Sequence, residues 1–191
     1  MKKTIAAVVC AAAAALSVQA HAEDAKVLRM ACESTYAPFV FFDSETGKLK
    51  GFEIDLLEYV AKEMGRKLEV TNMGFDAIIP SMLTGITDVG ASAFTITPER
   101  AKRVLFSKPY YISGLSILVR AEDKDKIKSV KDIENCTICA QIGTSGSMRA
   151  AKVPGAKVRN FNTINDAYLE LGNKGCKAVI TDRPVTAYFL A

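Results

Sequence analysis

The chain has 191 residues, a formal charge of +4, one histidine and no tryptophan. Lys2 and Lys3 supply two of those charges within a leader segment, so 4 − 2 leaves roughly +2 on the rest, with acids and bases interleaved. This near balance lacks the basic stripe that nucleic acid binding needs, and no nucleic acid partner is expected.

Residues 1–22 read as a signal peptide. Lys2 and Lys3 make a positive start, Ile5 to Leu16 an apolar stretch, and Ala20-His21-Ala22 a small-residue cleavage site. Cleavage is expected before Glu23, giving a periplasmic protein. No later apolar run reaches the length of a membrane span, so no stable membrane insertion is expected. The lone histidine, His21, leaves with the leader. Ser-His or Cys-His nucleophilic catalysis and His-ligated metal sites then have no histidine to use, and neither a metal nor a cofactor is expected.

Val27 to Cys32 reads as a first strand whose end carries Glu33 and Tyr36, and strand ends are where open α/β sheets take ligands. Glu33 is either a partner for a polar or cationic group or a surface acid; Tyr36 offers a ring face or fills the core. After the turn Gly47 to Gly51, a helix from Phe52 to Met64 repeats Phe52, Leu56, Leu57, Val60, Ala61 and Met64 on one face, with Glu53, Glu58, Lys62 and Glu63 at the other positions. Gly65 closes it. Lys67 to Thr71 alternates as a strand, and Phe75 to Gly85 follows as a second helix. The alternation of strands and helices predicts an α/β fold with parallel strands.

Val89 to Ile96 is small, apolar and uncharged, as a strand buried on both faces would be. Thr97-Pro98 then fits an N-cap followed by proline at the first helical position, with Arg100 in the opening turn. A cation there opposes the helix dipole by roughly 0.3–1 kcal/mol, whereas a bound carboxylate is favoured by both the dipole and the guanidinium. Arg100 is therefore either the seat of an anionic ligand group or a solvated member of the basic run with Lys102 and Arg103.

Ile112 to Val119 is strand-like, and the Pro and Gly residues around it suggest a crossing between lobes. A short helical turn at Val130 to Ile133 leads to a strand over Cys136 to Ala140. The glycine-bearing loop Gln141 to Ser147 follows, with amides able to cradle an anion. It lacks the Gly-Lys-Ser/Thr of a P-loop. Val158 to Phe161 is a strand, Asn165 to Leu171 a helix ended by Gly172, and Ala178 to Asp182 a last strand. Asp182 either holds a ligand ammonium or begins the turn with Arg183-Pro184.

Four cysteines follow the leader. Cys136 and Cys139 on one extended strand would stand ~10 Å apart, beyond disulfide reach. Since Cys136 and Cys176 each begin a strand, a bridge between them is the expected pairing in an exported chain.

Taken as an ordered set, Thr35-Tyr36-Ala37-Pro38-Phe39, Gly51-Phe52-Glu53-Ile54-Asp55, Phe75-Asp76-Ala77-Ile78-Ile79-Pro80, Thr95 to Arg100, Phe106 to Tyr111 and Gly143-Thr144-Ser145-Gly146 resemble the polar amino-acid-binding proteins of bacterial ABC importers, particularly the glutamine-binding branch. The resemblance implies a two-lobed, type II periplasmic binding protein-like α/β fold. Lobe 1 would span residues 23–109, a hinge 110–114 and lobe 2 115–191, with the C-terminal part of the fold missing. It implies a monomer that captures a small-molecule amino acid and delivers it to an ABC transporter permease.

Carried over by position, Arg100 and Thr95 would hold the α-carboxylate with help from Thr144, and Asp182 and the Ala93 carbonyl the α-ammonium. Tyr36 and Phe75 would sandwich the side chain and Glu33 would read its polar end. Glu33 stands where the family often has aspartate, and Gln141 where glutamine binders have lysine, which leaves glutamine and the basic amino acids open and makes an acidic ligand the poorest fit. The other reading on this fold is an enzyme resembling periplasmic cyclohexadienyl dehydratases, which needs an acid aimed at a leaving hydroxyl. The binding role, without catalysis, is the expected one.

Overall fold

The computed structural model describes residues 26–191, so the leader and its cleavage site lie outside the described residues. A first parallel sheet is built on β1 (Val27–Cys32), with β5 (Lys67–Asn72) on one side and β6 (Val89–Gly90) on the other. β1 and β5 pair in register from Val27 with Lys67 to Cys32 with Asn72. A second sheet has the order β7 (Leu115–Leu118), β10 (Ala178–Asp182), β8 (Thr137–Gln141), β9 (Lys157–Phe161). Its strands are parallel except β7, which runs against β10. Every residue of β10 is buried, the signature of a central strand covered on both faces.

The helices form where periodicity and capping agree. In α1 (Phe52–Glu63), Ile54, Leu57 and Ala61 face the core around Leu28, Met30 and Val40, and Gly65 takes φ +65° just beyond the end. The helix also departs from its expected face. Phe52 and Met64 are about half exposed, while Glu53 is fully buried. α2 (Phe75–Leu83) packs Phe75 and Ile78 against Ala31. In α3 (Pro98–Ala101), Thr97 accepts a hydrogen bond from the Arg100 amide at 3.2 Å, and Pro98 opens the turn as expected. α4 (Ser145–Ala150), α5 (Ile164–Gly172) and α6 (Arg183–Leu190) flank the second sheet.

Two expectations are corrected and one sheet is new. The buried strand from Val89 to Ile96 stops at Gly90, because Ala93 takes φ +51° and turns the chain out of extended geometry; Ile96 is 46% exposed. A small antiparallel sheet of β2 (Thr35–Tyr36), β3 (Val40–Phe42) and β4 (Leu49–Lys50) was not expected; its strands are too short to show an alternation. Cys136 and Cys176 are not bridged, and all four described cysteines are free. The Cys176 thiol lies instead against Cys139, in the apolar cluster under α5, because β8 turns Cys139 to that face and Ile138 to the other. Among the described residues no helix is long and apolar enough to cross a membrane.

Candidate functional site

The C-terminal ends of β1, β8 and β10 and the loop after β6 converge on one small cleft, where a doubly wound arrangement places ligands. Tyr36, Phe75, Ala93, Thr95, Arg100, Thr144 and Asp182 all line it. Seven of the nine residues expected from sequence are thus brought together. The other two, Glu33 and Gln141, are bonded to each other nearby: Gln141 Nε2 donates to Glu33 Oε2 at 2.8 Å.

Arg100 sits where the one-turn helix α3 turns its side chain inward, and it is 8% exposed. Its guanidinium lies 5.1 Å from the Phe94 ring centre and 5.3 Å from that of Phe75. Those rings stack at 4.4 Å. Nη1 donates to the Thr95 carbonyl and Nη2 to the Gly143 carbonyl, both at 2.8 Å. The cation therefore spans the loop after β6 and the loop after β8 with neutral acceptors only, and burial lowers its pKa. A carboxylate would be a stronger acceptor for the same fork.

Asp182, 7% exposed at the end of β10, accepts from Tyr36 Oη at 2.5 Å and from Ser113 Oγ at 3.4 Å. Burial raises its pKa, and the bonds from Tyr36 and Ser113 and the field of Arg100 pull it back. Arg100 and Asp182 line the same cleft, yet neither takes part in any of the ion pairs among the described residues.

Glu33, 4% exposed, accepts from the Thr35 amide at 3.1 Å, Thr35 Oγ1 at 2.9 Å and Gln141 Nε2. Burial raises its pKa against these bonds. Gln141 is 1% exposed and also donates to the Asn162 carbonyl at 3.0 Å, while its Oε1 is buried with no partner. Thr144 caps α4, accepting from the Ser147 amide at 3.2 Å and donating to the Gln141 carbonyl at 2.7 Å. Thr95 Oγ1 reaches across to Ser145 Oγ at 3.2 Å.

The expected sandwich of Tyr36 and Phe75 is only partly present: both rings border the cleft, but Phe75 stacks on Phe94 and Tyr36 is tied to Asp182. The cleft holds about 10 Å³, too little for an amino acid, because its polar groups bond to one another across it. A second cavity of about 600 Å³ lies beside it, apolar and bordered by Ile79, Met82, Val104, Phe106 and Tyr111. It shares Ala93, Thr95, Ser145 and Asp182 with the polar cleft, but Arg100, Thr144, Glu33 and Gln141 do not line it.

The model of bacterial extracellular solute-binding proteins, family 3, matches residues 28–188. The chain belongs to this family. A probable histidine-binding protein of Campylobacter jejuni is 33% identical over 164 residues, covering 86% of this chain and 63% of that protein. The arginine-bound, truncated ArgBP from T. maritima has a TM-score of 0.84 at 37% identity, covering 88% of this chain and 79% of that one. An ancestral amino acid-binding protein, described as a precursor of cyclohexadienyl dehydratase, has a TM-score of 0.83 at 40% identity, covering 86% and 74%. The chain thus spans a little under two thirds of the Campylobacter relative's length. These likenesses establish the two-lobed α/β fold of amino-acid-binding proteins.

Sequence reasoning missed Ser92 and Ser145 lining the cleft, Phe94 stacked on Phe75 beside Arg100, and the buried Glu53 behind it. The rings of Phe75 and Phe94 become neighbours only through the turn at Ala93, which no local pattern announced.

Proposed function

We propose that this chain is the ligand-capturing part of an extracytoplasmic solute-binding protein, exported by residues 1–22, that takes a polar L-amino acid and delivers it to an ABC transporter permease. The carrying observation is the pair of buried, opposite charges, Arg100 and Asp182, lining one cleft without an ion pair between them. They complement the two ends of a zwitterion: the carboxylate would replace the Thr95 and Gly143 carbonyls on Arg100, and the ammonium would replace the Tyr36 hydroxyl on Asp182, beside Ala93. In this reading residues 23–109 and 115–191 are the lobes, and residues 110–114 flex between them.

Side-chain choice rests on Glu33 and Gln141. A buried carboxylate beside an unpartnered amide oxygen is a cluster of acceptors, which favours a ligand side chain that only donates. We therefore order the candidates as arginine and lysine first, then glutamine and histidine, with acidic side chains last. The arginine-bound neighbour supports the head of this order, and the probable histidine-binding relative supports keeping histidine within it.

The dehydratase reading has one point in its favour, a buried carboxyl at Glu33 whose pKa is raised. Against it, three donors already hold that group as an acceptor rather than as an acid. Calorimetric titration of the mature chain with each of these amino acids tests the proposal. Arginine or lysine should bind, and Arg100→Ala should weaken the binding by about 100-fold or more, since a lost pair of charged hydrogen bonds is worth ~3 kcal/mol. Turnover of prephenate, or no binding across the panel by a cooperatively folded chain, would refute it.

A further inference from the structure

Behind the cleft, Glu53 has a place that its helix does not explain. It is fully buried, and its two carboxylate oxygens both accept from the Ala93 amide, at 3.0 and 2.9 Å. The Tyr110 hydroxyl donates to Oε1 from the segment joining the two sheets. Ala93 borders the cleft in the left-handed region at φ +51°, a conformation an alanine adopts only when its surroundings impose it. No ion pair involves Glu53 among the described residues, and burial raises its pKa, so keeping a carboxyl there costs stability that its contacts must offset.

We infer that Glu53 is a positioning residue for ligand capture: it locks the Ala93 peptide in its left-handed turn at the edge of the cleft and ties that turn to Tyr110 in the connecting segment. The acceptor has to be a side chain, because the chain leaves extended pairing after the Ala91 amide bonds to the Ala31 carbonyl at 3.0 Å, and the next inward amide has no strand to meet. The reach has to be that of glutamate. The start of α1 is held in place, since the Phe52 amide bonds to the Pro38 carbonyl and the Glu53 amide to the Phe39 carbonyl, both at 3.0 Å, so sliding the helix to bring a shorter acid closer would break both bonds. The inference rests on the proposed amino acid binding for its affinity readout, and on the Ala93 amide for one that needs no ligand.

The test compares Glu53→Asp, Glu53→Gln and Tyr110→Phe in the mature chain, with L-arginine as probe and hydrogen exchange of the Ala93 amide as the second readout. Aspartate keeps the charge and loses the reach; glutamine keeps the reach and one acceptor. Glu53→Asp should weaken arginine about tenfold or more and leave the Ala93 amide unprotected, while Glu53→Gln restores both to near the unmutated values. Tyr110→Phe should keep the Ala93 amide protected and weaken arginine about threefold, through loss of the tie alone. Unchanged affinity and protection in Glu53→Asp would overturn the inference, as would weakened affinity with protection intact. Should Glu53→Asp fail to melt cooperatively, Tyr110→Phe, which deletes one hydroxyl from a half-exposed ring, still decides the tie. If the unmutated chain binds no amino acid, the functional reading fails, and Ala93 protection alone decides whether Glu53 holds the turn.

Discussion

Gly146 fixes the spacing between helix α4 and strand β10, and replacing it by alanine gives the sharpest test of how the cleft is built. A Cβ added there would stand 2.3 Å from the Ile180 carbonyl oxygen and 3.0 Å from its carbon. Ordinary contact needs about 1 Å more, and the atoms struck are backbone of a fully buried central strand, so no rotamer change relieves the clash. Overpacking of this kind costs ~1–3 kcal/mol, and a clash against backbone belongs at the upper end. Alanine regains up to ~1 kcal/mol of helix propensity, which leaves a net loss of about 2 kcal/mol. The same displacement moves Thr144, the α4 cap, away from Asp182, which follows Ile180 by two residues on β10. Urea unfolding of Gly146→Ala should show a lower midpoint at unchanged slope, together with weaker ligand binding. A variant within about 0.5 kcal/mol of the parent, the usual scatter of surface substitutions, would mean that α4 is not seated against β10 as described.

Ala93→Gly should raise ligand-free stability by up to ~1 kcal/mol, because glycine adopts φ +51° without the penalty alanine bears; a lower melting temperature would show that the turn is not left-handed in solution. Burial raises the pKa of Glu33, Glu53 and Asp182, so between the ordinary carboxylate range and the raised folded values the folded chain holds protons there that the unfolded chain has released. Their contribution is fully present below the ordinary carboxylate range and is lost as pH rises through the raised folded values. Thermal melts of the ligand-free chain should therefore rise on mild acidification, while affinity for an amino acid falls as Asp182 protonates; parallel trends in the two would refute the assignment. Burial pushes the Cys32 thiol up to about 12 and raises those of Cys139 and Cys176 as well, whereas Cys136 is only half-buried. A thiol reagent at pH near 8 should label Cys136 alone in the native chain and all four described cysteines after unfolding under non-reducing conditions; a pair that stays unlabelled would reveal a bridge.

The parts of the fold legible in the sequence are those set by neighbours in the chain. Thr97-Pro98 capped a helix because both preferences act within one turn, and Gly65 ended α1 because it needed only its own φ. Arg100 was legible for the same reason: a cation in an opening turn is locally out of place. Glu53 was not. On a helical wheel it belongs to the polar side, and it is buried only because Ala93 and Tyr110, 40 and 57 residues away, close over it. The Cys136 bridge failed on a similar point: both cysteines stand just before their strands, and Cys176 is buried in the apolar cluster with Cys139 while Cys136 is only half-buried outside it. Phe94 was hidden inside an apparent strand, and only the turn at Ala93 brings its ring to Phe75 and Arg100.

The contacts that fill the cleft also describe what a ligand must displace. The bonds in and beside it give each charged group neutral partners: Arg100 two carbonyls, Asp182 a phenol and a hydroxyl, Glu33 amides and a hydroxyl. These bonds are already charge-assisted on one side, and a zwitterion would replace the neutral partner at each end by one of opposite charge, adding direct attraction at both ends while keeping the number of bonds unchanged. A ligand with only one of the two charges improves one end and leaves the other buried charge with fewer partners than before, at a cost of ~1–3 kcal/mol. On the proposed reading, the self-bonded cleft is the competitor that would set selectivity: a ligand carrying both charges should bind, and simple acids and amines of the same size should not.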